Sequence, residues 1–328
     1  MTICETIEEI RSRSALPDPV RYSSLLETGT FFLEQESPGI RPTDSTGLSG
    51  GLVCLKKNIT TLILPDLHGR KDFFAEAMNA SLTAEGSVLD ALKANAIQVL
   101  CLGDGFHTEH STRARWIEAF AEYRGGYDRH VAMDAEMQDS LGLMEMVVVC
   151  KTAFPDNFHF LKGNHENILN EEGNGNHAFM KIAYEGDMVR SWTEKFFGED
   201  FLLRFSRLEK SFPLLAVGDT FLASHAEPRT AYPEESVINA RSNPDIITGL
   251  TWTGNGEAET GSVDAMLRLF FGDDETAVYL GGHRPIDGLY AYRAGNRFIQ
   301  IHNPSKKIIA LSLPGKRFDP ETDVRELE

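Results

Sequence analysis

Five short polar blocks, each placed directly after a short apolar run, constrain this chain more than any other feature. The blocks are Asp66-Leu67-His68-Gly69, Gly103-Asp104-Gly105, Gly163-Asn164-His165-Glu166, Ser224-His225-Ala226 and Gly281-Gly282-His283-Arg284. The runs before them are Thr61 to Leu64, Ile97 to Leu102, Asn157 to Leu161, Thr220 to Ala223 and Ala277 to Leu280. Continuous apolar runs of this length read as buried strands. Ligand-type residues at strand ends collect along one edge of a sheet, where open α/β folds place their sites.

The five blocks supply two Asp, one Asn and four of the ten histidines in the 328-residue chain. Asp66 and His68 are two apart and can address the same ion. Asp104 has two carboxylate oxygens and can bridge two ions. Asn164 offers a neutral amide oxygen, and His225 and His283 add imidazole nitrogens. A set of oxygens and imidazoles without thiolate suits manganese, iron or zinc better than a soft metal. Two divalent ions about 3.5–4 Å apart acidify a bridging water and clamp a phosphoryl oxygen. His165, beside Asn164, is placed to protonate a leaving alkoxide. Each block alone is a common turn; their conjunction and order carry the reading.

Bulk properties narrow the partners. Lys and Arg total 32 and Asp and Glu 49, a formal charge of −17. This argues against nucleic acid as the main partner. The four cysteines are scattered, with no Cys-x-x-Cys pair, and three sit in apolar runs. That pattern predicts buried, reduced thiols and a cytoplasmic protein. No basic leader opens the chain and no apolar stretch approaches ~18 residues, so neither secretion nor a membrane span is expected.

The chain divides into an N-terminal extension (1–50), a catalytic domain (51–315) and a charged tail (316–328) expected to fray. Residues 51–55 and 60–64 suggest a hairpin. Helical spacing marks 72–79, 87–94, the stripe Trp116, Phe120 and Tyr123, the stripe Met137, Leu141, Met144 and Val148, the segment 192–208, and 263–271. Segments 211–217 and 220–223 read as paired strands. Residues 233–259 read as an irregular rim, and 171–176 as a loop. Further strands are expected over 289–292, 298–301 and 307–313.

In the order D-x-H, G-D, G-N-H-[DE], H and G-H, the blocks resemble the calcineurin-like metallophosphoesterases. Asp66-Leu67-His68-Gly69 and the aromatic approach from Phe154 to Glu166 are most similar to the phosphoprotein phosphatase branch. The resemblance implies an α/β four-layer sandwich, two mixed sheets flanked by helices. It implies a first metal on Asp66, His68 and Asp104, and a second on Asp104, Asn164, His225 and His283. It makes His165 the general acid and a metal-bridging hydroxide the nucleophile, acting on a phosphorylated small molecule or phosphoprotein. Manganese is the first choice of metal. The second His of a G-H-x-H pattern is missing, since Arg284-Pro285 follows His283, and water is expected in its place.

Two positions depart from the branch. His107 stands where it has an Asp paired with the acid histidine, and Thr108 where it has a phosphate-binding Arg. Losing a bidentate arginine weakens recognition of a phosphomonoester dianion. A phosphodiesterase, a nucleotide pyrophosphohydrolase and a non-catalytic binding member therefore stay open beside phosphomonoester hydrolysis. Arg284 is the leading replacement, ahead of Arg113 and Arg229, so substrate contacts are assigned to Asn164 and Arg284. His107 or Glu109 is expected to orient His165. His302 lies outside the pattern and reads as structural; His107, His110 and His177 read as surface or supporting residues.

Overall fold

The computed structural model describes residues 1–109 and 113–327. Its strands are β1 (Leu52–Cys54), β2 (Thr60–Leu64), β3 (Ser81–Thr83), β4 (Gly86–Ser87), β5 (Ile97–Cys101), β6 (Phe158–Phe160), β7 (Leu215–Val217), β8 (Phe221–Ser224), β9 (Val278–Gly281), β10 (Ala291–Arg293), β11 (Phe298–Gln300), β12 (Ile308–Ser312) and β13 (Val324–Glu326). Helices α1 (Ile3–Ser12), α2 (Pro19–Glu34), α3 (Lys71–Asn79), α4 (Val88–Lys93), α5 (Arg113–Arg124), α6 (Val131–Ala153), α7 (Glu185–Phe196) and α8 (Glu199–Ser211) precede β7. Helices α9 (Glu234–Ile238), α10 (Pro244–Thr251) and α11 (Ser262–Phe271) lie between β8 and β9, and α12 (Pro320–Asp323) precedes β13.

The strands form two mixed sheets, β13-β12-β2-β5-β6 and β1-β7-β8-β9-β11-β10, with β3 and β4 as a separate ribbon. Alternation along each strand explains why the sheets stack. Ile63, Leu100, Ala223, Leu280 and Ile299 point into one buried layer between the sheets. Their neighbours Leu62, Leu64, Val99 and Cys101 point the other way, onto the helices of the first half. Leu222, Tyr279 and Phe298 do the same toward α9 to α11. The result is the expected four-layer α/β sandwich.

Within it, β2, β5 and β6 run parallel in one sheet. In the other, β8, β9 and β11 run parallel. Six carboxyl ends therefore open onto one seam, three from each sheet, and five carry the polar blocks.

Several expectations need correction. Residues 51–64 form no hairpin: β1 pairs β7 in one sheet and β2 pairs β5 in the other. A three-residue strand followed by a crossover leaves the same apolar-turn-apolar signature as a hairpin. Residues 192–208 are not one helix, because Gly198 at φ 88° ends α7 and opens α8. The rim 233–259 carries α9 and α10, whose Val237, Ile246 and Leu250 cover the second sheet. The tail is ordered: β13 adds antiparallel to β12, with Phe318 and Val324 buried. Residues 1–50 cover the core through Ile7, Ile10, Leu26 and Leu33. Cys101 and Cys150 are buried as expected, whereas Cys54 is half-buried.

Leu26 on α2 is fully buried, and deleting its isobutyl group leaves a cavity among packed neighbours. Leu26→Ala is expected to cost about 2–5 kcal/mol in urea unfolding. A loss below about 0.5 kcal/mol, the range of surface substitutions, would contradict a structural role for this N-terminal helix.

Candidate metal centre

The blocks converge as the strand ends predict. Asp66, His68, Asp104, Asn164, His165 and His225 are all buried, and His283 is partly so. Backbone strain helps to bring them together. His68, Asp104, His107 and His283 hold φ of 42°, 53°, 65° and 64°, in a region that costs a non-glycine residue about 1 kcal/mol or more. Such strain re-aims each side chain off its strand axis into the seam.

Close approach adds a second requirement. A Cβ at Gly163 would lie 2.1 Å from Asp104 Oδ1, and one at Gly282 1.8 Å from Asp66 Oδ1. The glycines thus let two loops close over two carboxylates. Glu166 fixes the same loops: its carboxylate accepts N–H bonds from Gly163 (2.6 Å), Gly105 (2.7 Å) and Asp104 (2.9 Å).

Asp104 sits at the middle. Its Oδ2 is 3.5 Å from His68 Nε2, 3.3 Å from His225 Nε2 and 3.8 Å from His165 Nε2. On one side, His68 Nδ1 lies against the carbonyls of Phe106 (3.1 Å) and His107 (2.9 Å), leaving Nε2 for the seam. On the other, His225 Nδ1 lies 2.9 Å from the Leu102 carbonyl, and its Nε2 is 2.8 Å from Asn164 Oδ1. His283 Nδ1 is 3.0 Å from the same Asn164 oxygen. Backbone carbonyls holding the far nitrogen of an imidazole are the usual support of a metal-ligating histidine.

Electrostatics point to a missing positive charge. Ligand atoms of Asp66, Asp104 and His225 lie within 4.8 Å of one another. Two carboxylates at that distance repel by about 3 kcal/mol at an effective dielectric of 20. Burial opposes ionisation of Asp104, but His165, His225 and His68 hold its carboxyl well below the ordinary range. Burial also opposes charge on His225, yet Asp104 and Asp66 raise it to about 10. A proton retained there takes the place a cation would fill. Asp66 Oδ1 and His283 Nε2 are buried without a hydrogen-bond partner among the described residues, a state that costs each group about 1–3 kcal/mol. The donor set and these orphaned atoms fit divalent cations.

His165 contacts the residue in the departed position: its Nδ1 is 3.0 Å from His107 Nδ1. Phe179 packs on both rings, 3.7 Å from the His165 centroid and 4.4 Å from that of His107. Burial, and then His68, push His107 down to about 3, so it is neutral. Burial also lowers His165 well below its ordinary value. Glu109 does not contact His165 by hydrogen bond; it meets His302 Nε2 at 3.0 Å and pairs with Lys181.

The arginines are more dispersed. Arg284 is exposed beside His283 and makes no ion pair among the described residues. Arg229 lines a recess with Tyr232 and Pro233, and Arg113 is exposed at the start of α5. Arg115, unnoticed in the sequence, binds Glu136 and Asp139 and donates to Thr108 Oγ1. His177 is exposed, and His110 lies outside the described residues. His302 is the larger omission, for it is buried in the cluster beside Asp66 and His68. Its signal was present: like His225 and His283, it follows directly on an apolar strand.

The sequence pattern of the calcineurin-like phosphoesterases matches residues 59–287, which include all five polar blocks. The chain belongs to this family. It is a metal-dependent phosphoric ester hydrolase, and its substrates are phosphorylated. A Saccharomyces cerevisiae protein serine/threonine phosphatase shares the fold, with TM-score 0.59 and 12% identity over 95% of this chain and 90% of that one. A Shewanella cold-active protein-tyrosine phosphatase (TM-score 0.45, 14% identity, 84% and 82% covered) is also similar. So is a putative diadenosine tetraphosphatase (TM-score 0.43, 13% identity, 84% and 97% covered). No curated protein matches in sequence. No described helix is long and apolar enough to cross a membrane.

The Gly163 contact gives a direct test of this phosphoesterase centre. Gly163→Ala must displace Asp104, so isothermal titration of the folded variant is expected to show metal affinity reduced about 10–100-fold. Unchanged affinity would contradict the packing of loop against ligand.

Proposed function

We propose that the protein is a dinuclear phosphoesterase that hydrolyses phosphomonoesters. One observation carries the reading: a single carboxylate oxygen, Asp104 Oδ2, lies between His68 Nε2 and His225 Nε2 at 3.5 and 3.3 Å. That placement supports a bridging carboxylate, with Asp66, His68 and Asp104 on one ion and Asp104, Asn164, His225 and His283 on the other. The oxygen-imidazole set favours manganese, with iron or zinc next. Bound there, two such ions supply Lewis acidity and an acidified water for in-line attack on phosphorus.

The chain's own residues do the rest. His107 Nδ1–H donates to His165 Nδ1 in the tautomer that leaves the remaining His165 proton on Nε2. That nitrogen faces Asp104 and the seam, where a leaving alkoxide would need a proton. A neutral imidazole stands where the phosphoprotein phosphatase branch has a carboxylate behind the acid, so His165 is oriented without being made more basic. Asn164 and Arg284 take the substrate contacts. Arg284, exposed beside His283 and without an ion pair among the described residues, is free to reach a phosphoryl oxygen. The substrate is a small phosphate ester or a phosphoprotein, and the free cysteines support a reducing, cytoplasmic setting.

A second reading has one specific support. Thr108 holds the place of a phosphate-binding arginine, and its hydroxyl bonds Glu136. A site short of arginine suits a phosphodiester or an internal pyrophosphate linkage, with one negative charge per phosphoryl group, better than a monoester dianion.

Manganese-dependent hydrolysis of para-nitrophenyl phosphate is expected to exceed that of its bis-ester and to vanish in Asp104→Asn. Preference for the bis-ester would establish the second reading. His165→Gln is expected to lower kcat about 10²–10⁴-fold on an alkyl phosphate but much less on para-nitrophenyl phosphate, whose phenolate leaves unprotonated. Equal losses on both substrates would remove His165 from the acid role.

A further inference from the structure

The carboxyl end of β11 is the sixth parallel strand end at the seam, and it also delivers a ligand-type residue. β9 and β11 pair in register with Gly281 opposite Gln300. His283 and His302 each lie two residues beyond that pair, so the two strands present imidazoles side by side. Gln300 Nε2 donates to the Gly282 carbonyl at 2.9 Å, and Ile301 N–H to that of Gly281 at 3.0 Å. These bonds fix the two loops together.

His302 is 1% exposed. Its Nε2 is 3.0 Å from Glu109 Oε2, which sets the tautomer: Nε2 carries the proton and Nδ1 the lone pair. Nδ1 is buried without a hydrogen-bond partner among the described residues and lies 3.7 Å from Asp66 Oδ2. Ligand atoms of Asp66, His68 and His302 fall within 4.8 Å of one another, and the His68 and His302 rings are 5.4 Å apart. The unpartnered nitrogen faces the carboxylate of Asp66, so a cation held between the two would satisfy both. A carboxylate behind one ring nitrogen and an unused lone pair on the other is the arrangement that supports a metal ligand.

We propose that His302 is an additional protein ligand of the metal position held by Asp66, His68 and Asp104, binding through Nδ1 and oriented by Glu109. It rests on the dinuclear reading above. The place left vacant by the missing G-H-x-H histidine is then filled from a different strand, by protein and not by water. This position becomes richer in nitrogen, which favours a borderline divalent cation over magnesium or calcium.

The test compares metal-free full-length wild type, His302→Gln and Glu109→Gln by titration with cobalt(II). Heat and visible absorption, which follows the coordination of the ion, are both recorded. Wild type is expected to bind two ions. His302→Gln should weaken one of them about 10–100-fold and change the absorption of that ion alone, with the other site unaltered. Glu109→Gln should weaken the same ion with His302 still present. Two ions bound with wild-type affinity and spectrum in both variants, whether or not metal-free thermal stability falls, would overturn the assignment and leave the dinuclear reading standing. Fewer than two ions in wild type would overturn the dinuclear reading itself, and this inference with it. Should His302→Gln fail to fold by circular dichroism, His302→Asn, read by the same heat and absorption, decides.

Discussion

Buried negative charge at the seam between two sheets is the constraint on which the rest of the structure depends. Asp66, Asp104 and Glu166 are at most 1% exposed, and the Glu109 side chain is 10% exposed. Glu166 is satisfied by three backbone N–H groups, and Glu109 by His302 and Lys181. Asp66 and Asp104 are not fully compensated by protein donors, and Asp66 Oδ1 accepts no hydrogen bond among the described residues. Carboxylates are not retained in such a place for stability, because desolvation outweighs what the surrounding dipoles return. They make sense as a preformed cavity for cations.

The sandwich provides what that cavity needs. Three parallel strands from each sheet end on the same line, so residues from opposite halves of the sequence meet without long loops. The layer between the sheets is largely aliphatic, with Phe221 and Phe318 the aromatic members, and it holds the strand ends rigidly. Glycines at Gly163 and Gly282 then allow the loops to touch the carboxylates. Left-handed backbone at four of the site's residues shows strain concentrated where geometry matters most, a cost the packed sheets can hold.

Much of this was legible in the sequence because a strand followed by a polar block is a local signal. The five blocks, their strands and the helical stripes of α5 and α6 are written within windows of a few residues. What was misread depends on partners distant in sequence. Whether β1 and β2 pair with each other, or with β7 and β5, is decided by the crossover between sheets. The segment 233–259 is polar enough to read as a rim, yet α9 and α10 bury single apolar faces on the second sheet. His302 stands outside the order of motifs, although its physical signal, a histidine at a strand end, is the same as that of His225 and His283. The His107–His165 contact needed the fold, since 58 residues separate the pair.

The central claim is that two cations flank Asp104. Anomalous scattering from crystals of the manganese-loaded protein tests it most directly. The account predicts two peaks, one beside Asp66, His68 and Asp104 and one beside Asp104, Asn164, His225 and His283. A single peak, or manganese bound away from Asp104, would contradict it.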